Sequence, residues 1–228
     1  MIFFTGTRKP NFKNIKFFNY DEYWLHRGVK IKKIFMDREK IFMDWINEKS
    51  SVLDIACGNS PLLLELKQEK KCKVEGIDVS SVVVKEQNKI GVNAYVKDIG
   101  LDSFQLEKQY DFIVLSEILE HLAYPEKLIN KIKNKSKYLL ISLPNSAFYR
   151  YRLGLLLKGR FFTQWACHPS EHLRFWSHID FIDWLEAMGL EVEDCKSSNG
   201  LTIGPIKLFN IRKNLFGHQI CYLVKAKK

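Results

Sequence analysis

The sequence predicts an α/β protein built on a doubly wound, mostly parallel sheet of seven strands. The first observation is that short apolar segments alternate with amphipathic ones between residues 51 and 143. This alternation is typical of right-handed βαβ units, whose parallel sheet is covered on both faces. The second is that two apolar segments of the last third lie far apart, which favours a closing antiparallel pair at the sheet edge. The strand candidates are residues 51–56, 73–77, 92–96, 110–115, 138–143, 192–195 and 220–224.

Helices are predicted between these strands from apolar periodicity and from capping residues. One covers Leu62–Lys67, and the next ends at Lys89 with Ser80 or Ser81 available as its N-cap. Another is expected to begin at about Ser116, directly after the fourth strand.

The two ends of the chain carry further helical patterns. Residues 1–20 are aromatic and basic without clear periodicity, and a basic helical stretch with an apolar stripe follows them. Near the other end, an amphipathic helix is expected to begin near Ser177 and to stop at Gly189. Its apolar positions are spaced i, i+3, i+4 and i+7: Phe181, Trp184, Leu185 and Met188.

Composition restricts the class of protein. The 228 residues allow one large domain, and a hydrophobic content of 46% excludes a disordered chain. Five scattered cysteines without a CxxC pair favour reduced thiols over a disulfide framework or a zinc site. No apolar run approaches the roughly 18 residues that cross a bilayer, so we expect a soluble, cytoplasmic protein without membrane insertion. The net charge of +10 favours anionic partners or serves solubility alone.

Polar residues follow four successive strand candidates. Ligands of open α/β sheets bind outside the carboxyl ends of the strands, so these residues are the candidate site. The first strand leads into Asp54–Ser60, where Gly58 allows a ligand to approach the backbone closely. That loop lacks the further glycines of a dinucleotide fingerprint, and it is not a P-loop. An acid placed like Asp78 accepts hydrogen bonds from both hydroxyls of a ribose. Asp98 could accept from an adenine amino group.

This set resembles the class I S-adenosylmethionine-dependent methyltransferases, whose glycine loop reads D-x-G-C-G-x-G. In Asp54–Ser60 the small residues Ala56 and Ser60 replace two of those glycines, so the turn is expected to be kept. The resemblance implies the Rossmann-like methyltransferase fold and S-adenosylmethionine as cofactor, with S-adenosylhomocysteine as product. By position it implies the following cofactor-binding residues: Asp54, Ala56, Cys57, Gly58 and Asn59 for the methionine part, Asp78 for the ribose, Val79, Asp98 and Ile99 for the adenine, and Ser116 and Glu117 near the sulfonium.

A closer resemblance covers residues 143–189. Leu143-Pro144-Asn145, Tyr149-Arg150 and Glu171-His172-Leu173 look like the MetW-like branch of that superfamily. The branch is tied to methionine biosynthesis in some bacteria, with relatives among sugar- and polysaccharide-modifying enzymes. On this resemblance the chain is one methyltransferase domain with an N-terminal helical cap (1–48), a cofactor-binding half (49–145) and a substrate-binding insertion with closing strands (146–228).

His121 and His172 are the candidate general bases for removing a proton from the acceptor. The alternative is that each caps a loop or pairs with a neighbouring carboxylate, and a phosphate acceptor would need no base. We expect no metal. A further alternative is a divalent metal site made of Glu117, Glu120, His121 and His172, because E-x-x-E-H with a later His resembles small-RNA 2′-O-methyltransferases. In this interpretation Glu117, Glu120 and His121 lie on one face of one helix.

Basic and aromatic residues after the fifth strand are the candidate acceptor-binding residues. Arginine side chains bind phosphate or carboxylate bidentately, which favours a small anionic metabolite as partner. A solvated basic helix face explains the same pattern. The predicted substrate-binding residues are Tyr23, Tyr149, Arg150, Arg152, Arg160 and His168.

The sequence therefore predicts an S-adenosylmethionine-dependent O-methyltransferase. Its expected acceptor is a small metabolite that carries a phosphate or sugar phosphate, with surface polysaccharide biosynthesis as the preferred setting. One alternative is RNA 2′-O-methylation at a Glu/His metal site, in which case nucleic acid would be the partner. The other is a MetW-like non-catalytic partner of a methionine-biosynthesis acyltransferase.

Overall fold

A seven-stranded sheet organises the computed structural model, which describes residues 19–161 and 171–227. Its strands are β1 (Ser51–Ile55), β2 (Lys73–Asp78), β3 (Asn93–Val96), β4 (Tyr110–Ser116), β5 (Ser136–Pro144), β6 (Leu190–Gly200) and β9 (Gly217–Ala226). The order across the sheet is β3-β2-β1-β4-β5-β9-β6, and β1 to β5 pair in parallel. A small hairpin of β7 (Thr202–Ile203) and β8 (Ile206–Lys207) stands apart. The predicted α/β sheet is confirmed.

The antiparallel pair is also confirmed, and its arrangement is specific. β9 pairs antiparallel with both β5 and β6. The antiparallel strand β9 is therefore the last but one in the sheet, and β6 forms the edge. Both strands are longer than the sequence pattern indicates, because β6 and β9 pair with each other from Leu190 to Gly200.

Helices cover both faces of the sheet. They are α1 (Tyr20–Arg27), α2 (Asp37–Trp45), α3 (Leu62–Glu69), α4 (Ser81–Lys89), α5 (Pro125–Ile132), α6 (Tyr149–Lys158), α7 (His178–Ala187), α8 (Leu208–Ile211) and α9 (Lys213–Phe216). Alternate residues of each strand face opposite layers. In β1, Val52 packs in the core that contains Phe42 of α2, whereas Leu53 packs in the core that contains Phe181 of α7. None of the described helices is long and apolar enough to cross a membrane.

The prediction of a helix from about Ser116 is wrong. β4 continues through Ser116, and the N–H of Glu117 then donates to the Ser142 carbonyl oxygen at 3.0 Å, which extends the pairing with β5. Glu117 has a φ of 55°, outside the helical region. A single 3-10 turn, Leu119–His121, follows, and a helix starts only at Pro125. Pro125, which suits the first helical position, sets this start.

The start of α4 shows how α1 is fixed to the sheet. Ser80 is the N-cap residue, but its side chain accepts no N–H of its own helix, and its hydroxyl donates to Asp21 of α1 at 2.7 Å. The Ser81 hydroxyl donates to the same carboxylate at 3.0 Å. The acid of one helix thus satisfies groups at the N-terminus of another, which places α1 above the carboxyl ends of β1 and β2.

Candidate active site

A cavity of about 910 Å³ lies at the carboxyl ends of β1 to β4, beneath α1. The structure brings Asp54, Asp78 and Asp98 into its lining, although each follows a different strand. All the residues predicted to bind a cofactor line it: Asp54, Ala56, Cys57, Gly58, Asn59, Asp78, Val79, Asp98, Ile99, Ser116 and Glu117. The four strand-end motifs therefore belong to one crevice.

The loop after β1 is held in a tight, left-handed course. Ala56 and Gly58 have φ values of 60° and 54°. A Cβ on Gly58 would lie 3.0 Å from the Trp24 ring, so the glycine is needed for conformation and for space. From α4 the fully buried Gln87 donates to the carbonyl oxygens of Gly58 and Ser60, each at 2.9 Å. These contacts fix the backbone that faces the cavity.

Asp78 connects the loop to β2. One carboxylate oxygen accepts the Gly58 N–H at 3.0 Å, and the other accepts the Ser80 N–H at 2.9 Å. Burial raises the pKa of Asp78, and these backbone donors act in the opposite direction. A carboxylate has about four acceptor positions, so Asp78 keeps capacity for two hydroxyl donors from a ligand.

The wall beyond β3 offers an apolar face and an exposed acid. Val79 is 40% exposed, and Ile99 is half-buried. Asp98 is exposed and accepts the Gly100 N–H at 2.8 Å. A flat aromatic base could pack between the apolar side chains while the carboxylate accepts from its edge.

Buried acids surround the end of β1. Asp54 is buried, and its Oδ1 has no hydrogen-bond partner among the described residues. Burial, together with the charges of Glu39 and Asp78, raises the pKa of Asp54 well above its ordinary value. The neighbouring Glu39 accepts the Ser60 hydroxyl at 2.6 Å. This part of the cavity favours a cationic group, because such a group would supply the missing charge and hydrogen bonds.

The far wall holds Glu117, Glu120, His121 and His172. Both carboxylate oxygens of Glu120 and Nδ1 of His172 are buried and have no hydrogen-bond partner in the described parts of the chain. Burial lowers the pKa of both histidines, that of His172 to about 3. For Glu117, burial raises the pKa and outweighs the nearby Arg38 and the hydrogen bonds with Gln219 and Ser142. Glu117, Glu120 and His121 do not share a helix face, yet the turn brings them to one wall.

The predicted substrate-binding residues fall in different places. Tyr23 lines the cavity, whereas Tyr149, Arg150, Arg152 and Arg160 do not. The Arg152 side chain donates to the carbonyl oxygens of Ala147 and Asn214, a structural use of the guanidinium. His168 lies outside the described residues.

Several lining residues were missed by the sequence reasoning. Arg38 of α2 donates to the Ser116 hydroxyl at 3.0 Å and brings a positive charge to the end of β4. Tyr151 and His218 share a hydrogen bond of 2.7 Å at the wall formed by α6 and β9. No local motif marks these positions, because tertiary packing alone brings them to the cavity. Tyr151 lies within the basic segment after the fifth strand, but the sequence pattern indicated its neighbours Arg150 and Arg152 as substrate-binding residues.

The fold is that of the class I S-adenosylmethionine-dependent methyltransferases. Among solved structures, the chain is similar to Burkholderia thailandensis 1,6-didemethyltoxoflavin-N1-methyltransferase with bound 1,6-didemethyltoxoflavin and S-adenosylhomocysteine. The TM-score is 0.60 at 13% identity, over 92% of this chain and 84% of that one. A curated relative is the ubiquinone biosynthesis O-methyltransferase of Pseudomonas entomophila, 26% identical over 80% of this chain and 83% of the relative.

A match to a protein-family model is more specific than the fold. Residues 36–224 match the model of methionine biosynthesis protein MetW, and the chain belongs to the MetW family. It is also 25% identical to the bifunctional methionine biosynthesis protein MetXA/MetW of Rhodopirellula baltica, over 70% of this chain. That match spans 28% of the longer bifunctional protein.

Proposed function

We propose that this protein transfers the methyl group of S-adenosylmethionine to an oxygen atom of a small acceptor. The observation that carries the proposal is the convergence of Asp54, Asp78 and Asp98 on one cavity beside a left-handed loop. The ligand that suits these groups has a ribose, an adenine edge and a cationic end. S-adenosylmethionine has all three.

Different residues of the cavity are proposed to bind different parts of the cofactor. Asp78 is proposed to accept the ribose hydroxyls, and Asp98 the amino group of the adenine, with Val79 and Ile99 against the ring. The buried carboxylate of Asp54 faces the region suited to the cationic methionine end. When bound, the cofactor supplies an electrophilic methyl group on a sulfonium. Trp24 and Tyr23 of α1 also line the cavity, and we propose that they limit the access of water to the bound cofactor.

We assign activation of the acceptor to His121 and His172. Their lowered pKa values keep both imidazoles neutral near pH 7, so their ring nitrogens are available as acceptors or ligands. Both histidines line the same cavity as Glu117 and Ser116, where the sulfonium is expected. Alignment of the acceptor oxygen with the methyl carbon and the sulfur is the main demand of an in-line displacement.

The acceptor that we propose is small and anionic. Cationic side chains line the cavity at Arg27, Lys32, Arg38 and Lys97, which supports a negatively charged ligand part. A phosphate- or sugar-phosphate-bearing precursor of a surface polysaccharide is the preferred instance, with the net charge of +10 as additional support.

Isotope transfer tests this proposal. The protein is incubated with a metabolite extract and S-adenosylmethionine that carries a deuterated methyl group, and the extract is analysed by mass spectrometry. We expect one labelled metabolite, absent with the Asp78→Asn variant. The proposal of catalysis fails if no metabolite gains label although the protein binds S-adenosylhomocysteine.

The family match supports a second candidate function, a non-catalytic role as partner of a biosynthetic acyltransferase. The Rhodopirellula baltica relative joins MetXA and MetW in one bifunctional protein, so the two parts are physically associated there. Co-purification of this chain with such an acyltransferase, without label transfer to metabolites, would favour this candidate.

A further inference from the structure

We propose that Glu120, His121 and His172 bind a divalent transition-metal ion at the acceptor wall of the cavity. The role of that ion in methyl transfer rests on the proposed function, whereas the binding site itself does not. One carboxylate and two imidazoles from two separate segments make up the set.

The ligand atoms are already close together. One nitrogen from each histidine and one Glu120 oxygen all lie within 4.8 Å of one another. The two imidazole rings are 4.7 Å apart between centroids and nearly perpendicular, at 79°. Ligand bonds of about 2.0–2.2 Å place the atoms around one ion about 3–4 Å apart. Small side-chain rotations therefore suffice to close the set around an ion.

The polar atoms of this corner lack partners that a metal would supply. Glu120 is 1% exposed, and neither carboxylate oxygen has a hydrogen-bond partner among the described residues. Nδ1 of His172 is also buried and has no hydrogen-bond partner among the described residues. Native structures leave few buried polar atoms unsatisfied, and each such atom indicates a catalytic role, a bound water or an ion. Glu120 and His172 thus both leave buried polar atoms without a partner, and both residues line the cavity.

Backbone contacts hold the two segments in register. The N–H groups of Leu173 and Arg174 donate to the Glu120 carbonyl oxygen at 2.8 and 3.1 Å. The His121 ring is hydrogen-bonded to the Glu171 backbone, which orients it and leaves its second nitrogen for a ligand. Metal-binding histidines are oriented in this way by a backbone carbonyl or a carboxylate. The site is thus organised before any ion binds.

The donor set indicates which ion fits. Imidazole nitrogen together with one carboxylate suits zinc, manganese, cobalt and iron better than magnesium or calcium, which prefer oxygen ligands. Three protein ligands leave a coordination position open, as catalytic sites require. Glu117 is not part of the set within 4.8 Å. The four-residue site considered from the sequence is therefore reduced to three ligands.

An ion at this position would activate a hydroxyl acceptor. Coordination lowers the pKa of the hydroxyl, and its proton leaves to solvent. The resulting oxygen anion forms a bond to the methyl carbon as the bond from sulfur to that carbon breaks. The sulfur keeps the electron pair and becomes neutral.

Metal binding can be measured without any acceptor. The full-length chain is freed of metal with EDTA, which is then removed, and Co²⁺, Mn²⁺ and Zn²⁺ are titrated by calorimetry, with Co²⁺ also followed by visible absorption. We expect one ion per chain. Loss of one ligand, in Glu120→Gln or His172→Asn, should weaken binding at least about 10- to 100-fold, the scale of losing even an outer partner.

Exposed positions on α1 give matched controls. Glu22→Gln and His26→Asn change the same residue types at exposed positions outside the cavity lining and should leave the affinity unchanged. Circular dichroism and S-adenosylhomocysteine calorimetry of each variant separate loss of metal from loss of fold or cofactor. The proposal is overturned if the natural chain binds none of the three ions, or if the folded Glu120→Gln and His172→Asn variants bind them with unchanged affinity.

Discussion

Carboxylates stand at both ends of the sheet, and two buried acids at the carboxyl ends have surroundings unlike those of the acids at the amino ends. At the amino ends of the strands, Asp111 accepts from the Ser51 N–H and hydroxyl at 2.8 Å and pairs with Lys137 at 2.7 Å. Glu75 pairs with Lys108 and accepts the Tyr110 hydroxyl. At the carboxyl ends, Asp54 and Glu120 are buried with oxygens that lack partners among the described residues.

The pKa directions express the same contrast. The hydrogen bond with Lys137 is the largest of the influences that lower the pKa of Asp111, to about 2. Burial raises the pKa values of Asp54 and Glu120 well above their ordinary range. A paired acid stabilises the fold, whereas an unpaired buried acid costs stability until a ligand supplies its partner. Pairing therefore distinguishes Asp111 and Glu75 from Asp54 and Glu120, whereas Asp78 of the same cavity is held by backbone N–H groups.

Asp78→Asn should have the largest effect, on cofactor binding. A hydrogen bond to a charged group contributes about 1.5–3 kcal/mol, so we expect about 100-fold weaker binding of S-adenosylhomocysteine by calorimetry. Folding stability should fall by about 1–3 kcal/mol, because the side-chain NH2 of Asn cannot accept one of the two backbone N–H groups that bind Asp78, and circular dichroism checks that the variant is folded. Unchanged affinity for S-adenosylhomocysteine would show that Asp78 does not bind the ribose.

Asp54→Asn should stabilise the ligand-free protein at neutral pH by about 1–3 kcal/mol, the desolvation cost of a buried polar group without a partner, because Asn carries no charge. Because the folded pKa of Asp54 lies above the unfolded value, natural stability falls as pH rises through and above about 4. The stability difference between variant and natural protein should thus grow from pH 4 to pH 8 in urea unfolding. A variant less stable than the natural protein at every pH would show that Asp54 is paired after all.

Asp111→Asn probes the paired end. We expect a loss of about 1 kcal/mol in the free energy of unfolding at pH 7, a modest figure because the pair is partly exposed. The folded pKa of about 2 lies below the ordinary 3.8, so this contribution is present above pH 4 and disappears as pH falls toward 2. S-adenosylhomocysteine binding should not change. Weaker binding would contradict the separation of the two ends.

Ala56→Gly should have the smallest effect. Ala56 has a φ of 60°, a conformation that costs a non-glycine residue about 1–2 kcal/mol, and the flexibility of glycine in the unfolded chain offsets about half of that. We expect a gain in unfolding free energy below about 1 kcal/mol. Lys49→Gly, at the same φ of 60° but outside the cavity lining, is the matched control and should give a similar gain. A loss of stability in both would contradict the strain argument.

Much of the fold and of the cofactor side could be predicted from sequence, because both depend on local patterns. Strand–helix alternation determines a parallel sheet, and parallel strands bring residues such as Asp54 and Asp78 to the same edge. The helix from Ser116 was mispredicted because Ser-Glu-x-x-Glu-His has helical spacing, whereas backbone pairing of Glu117 with β5 overrides that spacing.

The acceptor side could not be predicted to the same degree. Arg38, Gln87 and His218 reach the cavity or its loop through contacts between elements distant in sequence. The acceptor-site prediction depended on the charges of Arg150 and Arg152. Of these three neighbouring residues of α6, however, Tyr151 is the one that lines the cavity. Which face of a short helix points inward depends on packing, and the pattern of this segment does not specify it.

A crystal structure of the protein grown with S-adenosylhomocysteine tests the central claim most directly. We predict ligand density in the cavity at the carboxyl ends of β1 to β4, with the ribose hydroxyls on Asp78 and the adenine edge at Asp98. Density at another surface, or a cavity that stays free of ligand at saturating concentration, would contradict the account.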